Sequence, residues 1–167
     1  IKIKRGIFVL LKTNNMSAGK FKLYEAAKLG IANGEIDLDS HSFKINLYLS
    51  TSNCNTLSGA TTLAALTNQV ATAFGYTQNT KTVTITTANA SGTITVDETT
   101  NPVWTASGGA ITARYAVIYD DTHASKQALG VVVLDTAPAD VTATDGNTLT
   151  ITWPIGGLFS ISGAAID

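Results

Sequence analysis

The chain has 167 residues, 44% of them apolar and 14% charged, with a formal net charge of −1. That length suits one domain with a real core, and so few charges leave Thr, Ser, Asn, Ala and Gly to make much of the surface. A lone cysteine, Cys54, excludes an internal disulfide and a cysteine metal site, and no run approaches the ~20 apolar residues of a membrane span.

Charge is unevenly placed. Lys2, Lys4, Arg5, Lys12, Lys20, Lys22 and Lys28 all precede position 30, where Glu25 is the only acid; the rest of the chain is acidic. Residues 1–19 therefore read as a basic, apolar N-terminal arm. Lys2, Ile3, Lys4, Arg5, Phe8, Val9 and Leu10 are its assembly residues, suited to strand addition on a neighbouring subunit or other partner, with folding back as an edge strand of the chain's own sheet the alternative. The apolar run Gly6–Leu11 is too short for a secretory core. Residues 20–167 read as one domain.

Lys20–Asn33 predicts a short helix, stopped by the Asn33-Gly34 pair. Glu35–Ser40 alternates acidic and apolar residues. Phe43–Ser50 alternates in strand fashion, with Phe43, Ile45, Leu47 and Leu49 on one face. Thr61–Tyr76 predicts a second helix: Thr61 or Thr62 can cap it, and Leu63, Leu66, Val70 and Phe74 form an apolar stripe.

From there on, strands and turns dominate. Lys81–Thr87 and Gly92–Asp97 predict a hairpin around Asn89–Ser91, and Val103-Trp104 a short strand. Ile111–Tyr119 and Ala128–Leu134 follow, the latter apolar enough to be central. Asp140–Thr144, Thr148–Trp153 and Leu158–Ser162 complete the set, with turns at Asp145-Gly146-Asn147 and Pro154–Gly157. The expected fold is mainly β: an antiparallel β-sandwich, jelly-roll or immunoglobulin-like, of about eight strands, with two short α-helices near the N-terminus.

No residue pattern announces chemistry. Cys54 with His123 and Asp120 or Asp121 is the one thiol constellation the composition permits, and no local signature supports it. Glu35, Asp37 and Asp39, like Asp97-Glu98 and Asp120-Asp121, lack the glycine offsets of a calcium loop and read as turn and edge residues. Trp104, Trp153, Tyr115 and Tyr119 read as core rather than as a sugar platform. Arg114 interrupts an apolar strand, so burial would demand a carboxylate, with Glu35, Asp37, Asp39 and Asp97 the candidates. No catalytic, cofactor-binding or metal residues are expected, and the acidic body speaks against specific nucleic-acid binding.

Several segments, in order, resemble a family of small bacteriophage virion structural proteins encoded beside capsid genes. They are Lys22–Gly34, Glu35–Asp39, Lys44–Leu49 and Leu63–Val70 (LAALTNQV) with Gly75-Tyr76, then Lys81–Asp97, Val103–Ser107, Thr112–Asp121 and Thr142–Ser162. The family usually carries an acid where this chain has Ala65 and Gln69, and residues 1–15 have no counterpart in it. The resemblance implies a capsid cement or decoration protein, not an enzyme and without a cofactor. Its partners would be the major capsid protein and itself, as a homotrimer, on the outer surface of the virion after assembly in the host cytoplasm, with the arm set against a neighbouring subunit or the capsid. A tail, neck or head-fibre component is the alternative, and a carbohydrate-binding module a remoter one.

Overall fold

In the computed structural model, residues 13–17 (backbone), 19–59, 62–135 and 139–163 are described. The centre is a five-stranded sheet in the order β2-β10-β9-β3-β4, built from Lys22–Leu23, Ala128–Val133, Tyr115–Asp120, Phe43–Tyr48 and Thr82–Val83. Its three inner strands, FKINLY, YAVIYD and ALGVVV, are buried along nearly their whole length. A strand covered on both faces has no solvent side, which explains why these runs are almost continuously apolar.

Three smaller sheets complete the molecule. In the first, β1 (Thr13–Ser17) runs parallel to β12 (Thr148–Thr152), which pairs antiparallel with β7 (Val103–Thr105). The second joins β11 (Val141–Ala143) to β8 (Ile111–Ala113). The third orders β13 (Phe159–Ser162), β6 (Thr93–Glu98) and β5 (Ile85–Ala90). The predicted hairpin is therefore present, turning at Ser91 and Gly92, both with positive φ.

The mainly β expectation holds, but its details change. Strands β1–β13 exceed the eight expected, and the described residues hold one α-helix rather than two. That helix, α1 (Glu25–Asn33), ends where the sequence placed its stop: Gly34 is left-handed at φ 74° and donates back to the Gly30 and Ile31 carbonyls. It begins later than expected because Lys22–Leu23 has joined β10 and Tyr24 N–H donates to the Leu129 carbonyl at 3.1 Å.

The second predicted helix is absent. Its apolar spacing is genuine, yet only Leu63–Ala65 turns, as a single 3-10 turn. The chain beyond is extended because it covers the open edge of β3. Val70 N–H donates to the Leu47 carbonyl at 2.9 Å and Leu49 N–H to the Asn68 carbonyl at 3.0 Å, while Tyr76 Oη accepts from Leu47 N–H at 3.0 Å. Asn68, Phe74 and Gly75 all have positive φ, which no helix tolerates in sequence. Gly75 is obligatory: at φ +88° a Cβ would stand 2.0 Å from the Thr105 carbonyl oxygen.

Two predicted strands divide: Lys81–Thr87 is split between β4, which pairs with β3, and β5, which pairs with β6, and Ile111–Tyr119 is split between β8 and β9. At Arg114 the chain leaves the β8–β11 pair and enters the central sheet as β9, with Arg114 N–H donating to the Tyr48 carbonyl at 2.8 Å. Leu49, expected on one face with Phe43, Ile45 and Leu47, lies just past the end of β3 and is partly exposed. Of the expected arm, Thr13–Ser17 is the edge strand beside β12. Lys2, Ile3, Lys4, Arg5, Phe8, Val9 and Leu10 lie outside the described residues.

Candidate functional site

Two regions could carry function. The first is a knot of charge where β3 begins and β9 ends, strands whose register pairs Phe43 with Asp120. The Asp120 carboxylate is fully buried. Its Oδ2 lies 2.5 Å from His41 Nδ1, while its Oδ1 accepts from Thr122 N–H at 2.9 Å and His123 N–H at 3.0 Å. Next to it, Asp121 takes Lys44 Nζ at 2.7 Å and Lys126 Nζ at 3.0 Å, and Lys126 also donates to the Asp121 carbonyl. Hydrogen bonds from Lys44 and then Lys126 hold the Asp121 carboxyl below its usual range.

A histidine oriented by a buried aspartate is two thirds of a hydrolytic triad. The nucleophile is missing: among the described residues no hydroxyl or thiol bonds to His41. Ser40 Oγ instead donates to Asp37 at 2.6 Å, and that bond, the largest of several, lowers the Asp37 carboxyl.

The one thiol constellation the sequence allowed does not form. Cys54 is buried, its backbone carbonyl accepting from Tyr24 Oη at 2.6 Å, and burial pushes the thiol up to about 11. His123 turns its Nδ1 to Ser125 Oγ at 2.9 Å. No group of three or more potential metal-ligating side chains occurs among the described residues, nor a helix long and apolar enough to cross a membrane. The His41–Asp120 pair was invisible in the sequence because only the β3–β9 register joins positions 79 residues apart.

Arg114 finds a different partner from those expected. Its Nε lies 3.4 Å from Asp140 Oδ1, with the side chain 16% exposed. The expected Glu35, Asp37, Asp39 and Asp97 sit elsewhere: Asp140 stands beside β11, the strand that β8 leaves as the chain passes Arg114. Trp104 and Tyr119 are buried, Trp104 under Tyr76 and Lys81, so neither offers a sugar platform. Trp153 packs edge-on against Phe21, which stacks on Phe159.

The second region lies around α1 and β13. Leu23, Ile31, Ala32, Phe159 and Ile161, with Lys28 beside them, line an apolar groove of about 390 Å³. A second hollow of about 420 Å³ adjoins it, shares Phe159 and Ser160, and runs past Lys20 to the loop Pro154–Gly157. That loop carries Ile155 fully exposed, and Leu29 on α1 is 62% exposed. Ile161 stands opposite Ile94 in register, and both are exposed, so the apolar face of this small sheet continues from the core into the open.

Comparison of the chain with family models, curated proteins and solved structures returned no match.

Proposed function

We propose that this chain is a structural component of a bacteriophage virion, a capsid cement or decoration protein that bridges neighbouring capsomers and catalyses no reaction. The observation that carries the reading is the contrast between its charges and its apolar surface. The one oriented histidine is consumed in holding two strands together, while apolar side chains on α1, β13 and the Pro154–Gly157 loop stand exposed and contiguous. Contiguous exposed apolar surface marks association rather than turnover. The narrower identity, capsid rather than any other assembly, rests on the ordered resemblance of Lys22–Ser162 to phage virion proteins. The four sheets are best read as the layers of a sandwich, a rigid body suited to a lattice.

A protein that binds only the intact lattice stabilises it by mass action. Particles lacking this protein should lose their DNA at lower temperature, or on dilution into lower salt, than complete particles. DNA release at the same temperature from stripped and complete particles would overturn the cement reading. Copy number then separates the alternatives: a decoration protein is present in proportion to the capsid protein, a tail, neck or fibre protein in far fewer copies.

A further inference from the structure

Every described cation from residue 44 onward is engaged within the chain. Lys44 and Lys126 hold Asp121, Arg114 meets Asp140, and Lys81 donates to the Val103 carbonyl at 2.7 Å over the Trp104 ring. Lys20 and Lys28 differ: each lines one of the two adjoining hollows, and neither forms an ion pair among the described residues. At the other end of α1, Glu35 and Asp39 are exposed and likewise lack an ion pair.

The exposed charges of segment 20–39 run Lys20, Lys22, Glu25 and Lys28, then Glu35, Asp37 and Asp39, net positive before the middle of α1 and negative after it; the nine-residue helix itself is about 13 Å long. Such a strip is complementary to itself when reversed. A two-fold axis across α1 sets the Lys20 end of one copy against the Glu35–Asp39 end of the other, and the same contact repeats on the far side. It also sets exposed Leu29 over the partner's groove, whose walls of Leu23, Ile31 and Phe159 match it in character.

We propose that the α1–β13 face is a two-fold self-association surface, in which Leu29 of each copy fills the groove of the other and Lys20 pairs with the partner's Glu35 and Asp39. Apolar burial of Leu29 supplies most of the affinity, and the charges fix the antiparallel register. The inference concerns contact between copies and stands whether or not the particle is a phage head.

Sedimentation velocity on the full chain, over a concentration series at low and high salt, tests it. The wild type should show a monomer–dimer equilibrium that weakens as salt rises. Leu29→Glu should raise the dissociation constant by about a hundredfold, since two buried leucines are lost per dimer, with an unchanged circular dichroism spectrum. Charge reversal gives the sharper result. Lys20→Glu alone, and Glu35→Lys with Asp39→Lys, should each weaken association by about fivefold. Mixing those two variants should give a heterodimer tighter than either homodimer. A wild type that is monomeric throughout, a trimer, or a dimer indifferent to both Leu29→Glu and the reversals would overturn the proposal.

Discussion

The knot at Asp120 and the face at α1–β13 use polar groups in opposite ways. At the knot, one carboxylate with no exposure satisfies a histidine and two backbone amides, and its neighbour satisfies two lysines. Charge there is spent inward, joining β3, β9 and the turn that leads to β10. On the α1–β13 face, Lys28 and Lys20 each line an open hollow, and Leu29 on the same helix as Lys28 is exposed. A folded protein tolerates such a surface when another surface covers it. The contrast is that a histidine–aspartate pair at 2.5 Å has its hydrogen bonds turned inward, whereas the plainer apolar face is left open to solvent.

Substitution should separate them sharply, with the greatest effect at the knot. Asp120→Ala removes the acceptor of two amides and of His41 in a site without water access, so unfolding in urea should show a loss of about 3–4 kcal/mol. Asp120→Asn keeps the shape and one acceptor, and should lose less. If Asp120→Ala lowers stability by under 1 kcal/mol, the knot is not what joins these strands.

A second buried carboxylate gives a pH signature. Glu98 is 4% exposed; its Oε1 accepts from Thr100 N–H at 2.9 Å, Thr84 N–H at 3.4 Å and the Thr100 hydroxyl. Burial pushes this carboxyl above its ordinary value. The folded state therefore binds the proton more tightly than the unfolded chain. Its contribution to stability is full below the unfolded pKa and falls as pH rises through the folded one. Glu98→Gln keeps the acceptor and removes the titration, so the variant should be more stable than wild type at neutral pH, by about 1 kcal/mol. The gap should close in mild acid. A gap independent of pH would refute the assignment.

Asp121 has the opposite sign. Its lowered carboxyl adds stability above the unfolded pKa, and that is lost as pH falls through the folded value. Its exposure makes the effect small: Lys44→Ala should cost about 0.5 kcal/mol and less in high salt, measured by denaturation at two ionic strengths.

How much of this was legible in the sequence follows from where the hydrogen bonds go. The β5–β6 hairpin, the Gly34 stop and the central place of Ala128–Val133 depend on local turn chemistry or on burial, and all could be read. The segment Thr61–Tyr76 could not. Its stripe of Leu63, Leu66 and Val70 does pack against the core, but the edge of β3 claims its backbone, and nothing in its own residues announces that claim. The same reason hid the partners of Arg114 and His41, each set by register between distant strands. The α1–β13 face was half visible: the charge gradient from Lys20 to Asp39 is in the sequence, but the groove needs β13 beside α1.

The smallest effect is the most telling for the comparison. Leu29 is as apolar as any core residue, yet at 62% exposure it contributes almost nothing to its own domain. Leu29→Ser, unfolded in urea at a concentration low enough to keep the chain monomeric, should lie within about 0.5 kcal/mol of wild type. Leu47→Ser, at a fully buried position of the same residue type, should lose several times more, about 3 kcal/mol or above. A monomer that Leu29→Ser destabilises by 2 kcal/mol would mean that Leu29 packs within its own chain in solution, and the face around it would lose its claim to be open.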